Sequence, residues 1–188
     1  MTLGDPELDR RAAAVRLVLF DVDGVLTDGR VTINDDGTEG KAFFIRDGIA
    51  IVWAQRVGLK VGFLSARLAA TTPMRAAQLG VTLVYHGVSS KLATYERILA
   101  EQGLSDDAVA YMGDDLVDLA VLARAGLACA PGDAVPDVRE RAHLVTAAPA
   151  GAGAARELIE RILRVQGHWQ AIVDGYLNEP GSTEPAAS

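Results

Sequence analysis

The fold is decided by one stretch of the chain, Val15-Arg16-Leu17-Val18-Leu19-Phe20-Asp21-Val22-Asp23-Gly24. Residues 15–20 are β-branched or apolar apart from one arginine, and such a continuous run is typical of a strand buried on both faces of a parallel sheet. The carboxylates of Asp21 and Asp23 follow at once, and they would repel each other unless a cation lay between them. Gly24 permits the tight turn that presents backbone amides to a ligand. The stretch therefore predicts a buried strand that ends in a ligand site, with a solvated acidic turn as the alternative.

Strand and helix patterns alternate along the rest of the chain. The predicted strands that follow are 61–64, 81–85, 108–112, 127–130 and 144–145, and the predicted helices are 49–57, 68–79, 90–101, 116–125 and 153–166, with one more between the last two strands. A turn-rich segment at 34–37, between extended residues 31–33 and 41–44, predicts a β-hairpin. Strands that alternate with helices imply right-handed crossovers and a sheet covered on both faces. We therefore expect an α/β fold, a Rossmann-like three-layer sandwich with a parallel sheet and a protruding β-hairpin.

Composition and charge limit the classes of function. The chain has 188 residues, of which 49% are hydrophobic, enough for one domain, which we place at 13–168 with flexible termini at 1–12 and 178–188. The net charge of −7, without a long basic run, argues against nucleic-acid and anionic-membrane partners. A single cysteine, Cys129, cannot form an internal disulfide, and the acidic N-terminus lacks the features of a signal peptide. We therefore expect a cytoplasmic protein.

Three further polar groups follow predicted strands or begin helices, and in parallel sheets ligands bind at the carboxyl ends of the strands. These groups are Ser65-Ala66-Arg67, Lys91 and Gly113-Asp114-Asp115-Leu116-Val117-Asp118. A hydroxyl and a guanidinium could hold phosphate oxygens or a substrate carboxylate, and three acids at one strand end require a metal or another cation. Each group also has an ordinary explanation. Asp115 and Asp118 could be helix-start residues. Ser65 could be a helix N-cap, and Lys91 an exposed lysine.

Together, the four groups resemble the haloacid dehalogenase superfamily of phosphohydrolases. The resemblance covers residues from about Val15 to Gly167 and depends on Asp-x-Asp-Gly, Ser, Lys and Gly-Asp-Asp-x-x-Asp, which occur in that order at strand ends or helix starts. By this resemblance, Asp21 is the nucleophile that forms an aspartyl-phosphate, and Asp23 is the general acid and then the general base. Ser65 and Lys91 hold the phosphoryl oxygens. Mg²⁺ is bound by Asp21, the backbone carbonyl of Asp23, and Asp114.

Many members of the superfamily carry a cap domain, but the interval between Asp21 and Ser65 holds only the predicted hairpin and one helix, so we expect no cap domain. Residues 21–29, 41–48 and 113–118 further resemble 3-deoxy-D-manno-octulosonate 8-phosphate phosphatases, a family of homotetramers whose hairpins and C-terminal tails help to build a neighbour's active site. The resemblance implies a small phosphorylated sugar acid as substrate and a role in lipopolysaccharide biosynthesis. The residues that it implies for substrate contact are Phe44, Ile45, Arg46, Asp47, Gly48, Arg67, Arg75, Lys91 and Asp115.

Two departures from that family bear on the substrate. One family arginine is replaced by Val52, and the Gly-Gly-Arg-Gly segment lacks its arginine, where this chain has Ala152. Two bidentate partners for a carboxylate are therefore missing. Phosphates of nine-carbon keto-deoxy (sialic-acid-like) sugar acids, or other sugar phosphates, are the alternative substrates. A phosphotransferase is disfavoured by the missing cap, and a non-catalytic binding subunit by the intact acids. Arg46 and Asp47 could also form a structural ion pair on the hairpin.

Overall fold

Within residues 4–178, the part of the chain that the computed structural model describes, eight strands form a six-stranded sheet and a two-stranded hairpin. The strands are β1 (Leu17–Phe20), β2 (Thr32–Ile33), β3 (Glu39–Gly40), β4 (Lys60–Ser65), β5 (Leu83–His86), β6 (Val109–Met112), β7 (Leu127–Ala130) and β8 (Leu144–Val145). In the large sheet their order is β5-β4-β1-β6-β7-β8, and every pair is parallel. The antiparallel pair β2-β3 forms the hairpin.

Strand β1 lies in the middle of the sheet, between β4 and β6. Its last residue, Phe20, is opposite Phe63 of β4 and Met112 of β6, and all three side chains are buried. The buried strand predicted from the continuous apolar sequence is confirmed. Because parallel strands end at the same edge, the residues that follow β1, β4 and β6 come together there.

Helices cover both faces of the sheet. They are α1 (Pro6–Ala14), α2 (Ile45–Arg56), α3 (Thr71–Leu79), α4 (Lys91–Gln102), α5 (Leu119–Leu122), α6 (Pro136–Arg139), α7 (Ala154–Val165) and α8 (Trp169–Leu177). Val18 and Phe20 pack into the apolar cluster under α1, α2 and α7, whereas Leu17 and Leu19 pack into the cluster under α4, α5 and α6. This alternation along β1 makes the three layers, so the predicted α/β sandwich is confirmed. None of the helices within residues 4–178 is long and apolar enough to cross a membrane.

The hairpin and the helix after it differ from the prediction. A hairpin does form, but its second strand is β3 at Glu39–Gly40 instead of 41–44, and α2 begins at Ile45 instead of 49. Gly48 lies in the first turn of α2, where a side chain would collide with the guanidinium of Arg75 on α3. The helix continues through this glycine, and the tip of Arg75 and the side chain of Leu79 on α3 occupy the space next to it.

Both ends of the described chain contain helices that the sequence did not predict. The expectation of a flexible segment at 1–12 is wrong for α1, because Leu8 and Ala12 are buried against the core and Asp9 lies 2.8 Å from the guanidinium of Arg161 on α7. The predicted domain end at 168 is also too early, since α8 follows it and packs Trp169 against α2. The predicted flexibility of 179–188 concerns residues outside the described part.

The docking of α1 can be tested with a charge placed on its buried face. Ala12 is fully buried, whereas its neighbour Ala13 is exposed. We expect Ala12→Asp to lower the free energy of unfolding by about 3 kcal/mol or more, because it buries a carboxylate without a partner. Ala13→Asp should cost under about 1 kcal/mol, the price of an acid near a helix C-terminus. Urea unfolding measures both, and equal small losses would mean that α1 is not docked.

Candidate active site

The carboxyl edge of the sheet carries a cavity of about 270 Å³ in which the four sequence-predicted groups meet. Asp21 follows β1, Ser65 ends β4, the acidic loop follows β6, and Lys91 is the first residue of α4. The residues that line the cavity are Asp21, Asp23, Gly29, Ser65, Ala66, Arg67, Lys91, Asp114, Asp115 and Val117. The sheet topology thus brings together side chains that are far apart in the sequence.

Lys91 forms a buried bridge between two carboxylates. Its Nζ atom lies 2.8 Å from Asp21 Oδ2 and 2.6 Å from Asp118 Oδ1. All three side chains are buried, and Ser90 caps the start of α4, where its hydroxyl accepts a hydrogen bond from the backbone N–H of Ala93. The alternative of an ordinary exposed lysine is therefore wrong.

Asp118 is the organising acid of the loop after β6. Tyr111 donates its hydroxyl hydrogen bond to Asp118 Oδ1, and the backbone N–H groups of Asp114 and Asp115 lie 3.1 and 3.3 Å from Asp118 Oδ2. Asp115 accepts from the backbone N–H of Leu116 at 2.7 Å, and both acids cap the helical turn that begins there. Asp115 also lines the cavity, whereas Asp118 is connected to it through Lys91. The sequence reasoning assigned Asp118 no part in the site, although the Gly-Asp-Asp-x-x-Asp spacing contained it.

Two of these acids have raised pKa values. Burial raises the pKa of Asp21 to about 7, against the lowering effect of Lys91. Burial also raises the pKa of Asp114 to about 7, and the nearby charges of Asp21 and Asp118 add to the effect. Burial would lower the pKa of Lys91, but the same two carboxylates outweigh it and raise that pKa. One ammonium therefore does not balance the cluster, and a further cation would stabilise its ionised form.

The cluster fits a divalent metal ion. One carboxylate oxygen each of Asp21, Asp114 and Asp118 lie within 4.8 Å of one another. Asp118 already accepts several hydrogen bonds, whereas Asp114 Oδ1 is buried and has no hydrogen-bond partner among residues 4–178. Gly24, at φ +86°, leaves room for that carboxylate, because a side chain there would collide with it. An all-oxygen donor set of this kind suits Mg²⁺, Ca²⁺ or Mn²⁺.

Asp23 lies at the side of the cavity and meets a residue that the sequence reasoning gave no role. Lys41 Nζ is 2.5 Å from Asp23 Oδ1, and the Lys41 side chain is fully buried. The angles between the two groups fall outside hydrogen-bond geometry, so the contact is an ion pair by distance alone. No local sequence pattern predicts the contact between Lys41 and Asp23, because Asp23 lies in the loop after β1 and Lys41 lies after β3.

Ser65 and Arg67 form the rim of the cavity. The Ser65 hydroxyl is buried, accepts from the backbone N–H of Arg67 at 3.2 Å and lies 3.3 Å from its carbonyl oxygen. The N-cap interpretation of Ser65 is wrong, because α3 begins only at Thr71. The Arg67 guanidinium lies 2.6 Å from Glu39 on the hairpin.

The other residues predicted to contact substrate lie elsewhere in the same chain. None of the residues 44–48, and not Arg75, lines the Asp21 cavity. Asp47 is buried and accepts a hydrogen bond at 2.8 Å from the backbone N–H of Arg156 at the start of α7. The alternative of an Arg46–Asp47 ion pair is also wrong, since the Arg46 guanidinium lies over the ring of Phe44. In a single chain, these residues form part of a separate surface.

Comparison with known proteins identifies the family of the chain. The family model of haloacid dehalogenase-like hydrolases matches residues 65–158. A 3-deoxy-D-manno-octulosonate 8-phosphate phosphatase of Yersinia pestis is 41% identical over 157 residues, which is 84% of each chain. A crystal structure described as a probable YrbI family phosphatase, from Pseudomonas syringae pv. phaseolica 1448a, matches with a TM-score of 0.91 and 42% identity, and covers 94% of this chain and 100% of that one.

A further solved structure holds ligands. It is the 3-deoxy-D-manno-octulosonate 8-phosphate phosphatase of Moraxella catarrhalis in complex with a magnesium ion, a phosphate ion and a KDO molecule. It is 30% identical, has a TM-score of 0.90, and the match covers 92% of this chain and 99% of that one. That relative supports a divalent metal in this fold. The chain therefore belongs to the haloacid dehalogenase-like hydrolases, as one of the capless phosphatases that cleave phosphoric monoesters.

Proposed function

We propose that this protein is a Mg²⁺-dependent phosphatase that hydrolyses 3-deoxy-D-manno-octulosonate 8-phosphate through a covalent phosphate on Asp21. The observation that supports it most is the buried bridge in which Lys91 lies 2.8 Å from Asp21, beside an oxygen of Asp114 that has no hydrogen-bond partner within residues 4–178. A carboxylate nucleophile, a fixed ammonium and a second acid for a metal are the groups that such phosphoryl transfer requires. The similarity to phosphatases of this substrate supports the choice of sugar acid.

In the first step, an oxygen of Asp21 attacks phosphorus and the bond between phosphorus and the sugar oxygen breaks. Lys91 and the hydroxyl of Ser65 hold the phosphoryl oxygens and offset the negative charge that develops on them. Both groups are buried at the cavity wall, where electrostatic contacts are stronger than in water.

Asp23 acts on the leaving group and then on water. It first gives a proton to the departing sugar oxygen, so that a neutral alcohol leaves. As a carboxylate, it then accepts a proton from the water that attacks the aspartyl-phosphate, which releases inorganic phosphate and restores Asp21. Its position two residues after the nucleophile, at the wall of the same cavity, suits this double role.

The residues that would hold Mg²⁺ are Asp21, Asp114 and the backbone carbonyl of Asp23. When bound, the ion supplies positive charge that lets an anionic nucleophile approach an anionic phosphate. Asp115 lines the same cavity and would lie close to the substrate. We attribute the choice of Mg²⁺ to the oxygen donors, which match its coordination preference.

The proposal also names the substrate, a phosphorylated sugar acid. Arg67 would bind the carboxylate of the sugar acid as a bidentate partner. Val52 and Ala152 stand where the family has arginines, so a nine-carbon keto-deoxy sugar acid phosphate remains the second candidate. A phosphotransferase is disfavoured, because the described chain has only the hairpin and α2 between β1 and β4 and therefore no cap to keep water from the intermediate.

Residues 44–48 and Arg75 could contact substrate only if several copies of the chain assemble. They do not reach the cavity of their own chain, so their contact with substrate would be made in a neighbouring subunit of a homotetramer. Ile45 is 78% exposed, and Ile49, Leu68 and Met74 are also exposed, so the chain offers apolar side chains that a neighbouring subunit could cover. We further propose that the enzyme acts in the cytoplasm on a small molecule, and not on nucleic acid or a membrane.

The nucleophile can be tested by a single substitution. We expect Asp21→Asn to lower kcat by at least about 10³-fold, because an amide oxygen is a far weaker nucleophile. Asp28→Asn is the matched control, since it makes the same change at an exposed position of the same loop and should keep near-normal kcat. Urea unfolding verifies that both variants are folded. A folded Asp21→Asn enzyme with normal turnover would exclude Asp21 as the nucleophile.

The substrate and the metal can be tested by release of inorganic phosphate. We expect the highest kcat/KM for 3-deoxy-D-manno-octulosonate 8-phosphate, compared with a nine-carbon sugar acid phosphate and with mannose 6-phosphate. Removal of metal with EDTA should abolish release, and added Mg²⁺ should restore it. Full activity in EDTA would refute the metal requirement, and an equal or higher kcat/KM for mannose 6-phosphate would refute the sugar-acid preference.

The assembly can be tested at the exposed apolar surface of α2. We expect light scattering to give a tetramer for the wild type and a smaller species for Ile45→Asp, which also loses most activity on the sugar acid phosphate. Ala100→Asp places the same charge on an exposed position of α4, on the other face of the sheet, and should remain tetrameric. A fully active wild-type monomer would contradict the shared site.

A further inference from the structure

The hairpin is tied to the cavity by two ion pairs. Glu39 and Lys41 are two positions apart at the end of the hairpin, and each meets a residue that lines the Asp21 cavity. Glu39 Oε1 lies 2.6 Å from Arg67 Nη2, and Lys41 Nζ lies 2.5 Å from Asp23 Oδ1. The position of the hairpin therefore depends on the charges of Asp23 and Arg67 in the cavity.

The two pairs differ in burial, and burial decides which one can exchange partners. The Lys41 side chain is fully buried, and that of Asp23 is 20% exposed. The side chains of Arg67 and Glu39 are 43% and 35% exposed. Breaking a buried pair leaves charges without solvent, whereas an exposed pair is screened by water and contributes little. The Glu39–Arg67 pair is thus the one that a charged ligand can open.

Within the described residues 4–178, the contact between Glu39 and Arg67 also leaves donors of the guanidinium without a partner. Glu39 accepts one hydrogen bond, from Nη2, although a guanidinium can offer two parallel donors to a carboxylate. Arg67 is the only arginine among residues 4–178 that lines the cavity. A carboxylate that binds Arg67 with both oxygens can therefore replace a partner that is held by one.

We propose that Glu39 sets the affinity of the enzyme for acidic sugars, because its carboxylate competes with the carboxylate of the substrate for Arg67. The inference rests on the proposed function and adds to it a residue outside the catalytic groups. In the free enzyme, Glu39 neutralises Arg67 and holds the hairpin at the rim. When the sugar acid binds, its carboxylate takes the place of Glu39, while the buried Lys41–Asp23 pair keeps the base of the hairpin fixed.

The test compares KM values of Glu39→Gln for two substrates. We expect KM for 3-deoxy-D-manno-octulosonate 8-phosphate to fall by about two- to five-fold, the range that an exposed ion pair allows, with kcat unchanged. KM for mannose 6-phosphate, which has a phosphate but no carboxylate, should not change. Asp35→Asn removes the same charge from an exposed position of the same hairpin, and it should leave both KM values as they are.

A double substitution separates competition from a structural effect. In an Arg67→Ala background, Glu39→Gln should no longer change KM, because the residue for which the two carboxylates compete is absent. An unchanged or raised KM in Glu39→Gln would overturn the inference while the proposed function stands. An equal fall in KM for both substrates would also overturn it, because removal of a negative charge near the cavity would then favour any phosphate ester. If the wild type released no phosphate from any sugar acid phosphate, the proposed function and the inference would fail together.

Discussion

The structure depends on one buried ion-pair arrangement, the ammonium of Lys91 between the carboxylates of Asp21 and Asp118. Charges removed from water are costly unless their partners and hydrogen bonds are nearly ideal. Asp118 meets that requirement, because the Tyr111 hydroxyl and two backbone N–H groups also donate to it. Asp21 and Asp114 meet it only in part, and their raised pKa values follow from burial without enough positive charge.

That electrostatic arrangement constrains the backbone around it. Gly113 lies directly against Asp118, and a side chain at this position would collide with the carboxylate. Gly24 belongs to the loop after β1, and its missing side chain leaves room for Asp114 of the loop after β6. Two loops that follow neighbouring strands can therefore approach within the distance of a shared cation. The parallel sheet brings the two loops to the same edge, and the missing side chain of Gly24 leaves room there for Asp114.

The sequence predicted the parts of the molecule in which an apolar run that marks a strand is followed directly by polar residues. Each acid after a strand was predicted to lie at the sheet edge, and Asp21, Ser65, Lys91 and Asp114 do meet there. The residue types and their order were sufficient for this, since strand ends are located by the apolar runs before them. The chemical roles of these residues stay predictions.

The sequence patterns for helices α1 and α8, and for the contact of Lys41 with the cavity, were weaker or depended on residues far apart in the chain. Helix α1 buries only two small or medium side chains, Leu8 and Ala12, so its apolar periodicity is faint. Asp5 before Pro6 was nonetheless an available sign, since an aspartate N-cap followed by proline at the first helical position is a typical helix start. For α8, Trp169 and Tyr176 are seven positions apart and both pack on Trp53, a helical spacing that the sequence contains. The contact of Lys41 with Asp23 in the cavity is preceded by no comparable sequence pattern.

Asp115 and Asp118 explain why structural and functional interpretations of an acid need not exclude each other. Their carboxylates accept hydrogen bonds from backbone N–H groups at the first turn after β6, which is what any helix start requires. Those bonds also fix the direction of Asp118 toward Lys91, and thereby the position of the ammonium beside Asp21. An acid that is already satisfied by the backbone can remain buried and charged, which an isolated carboxylate could not. The helix start is therefore the means by which this fold holds a positive charge at the nucleophile.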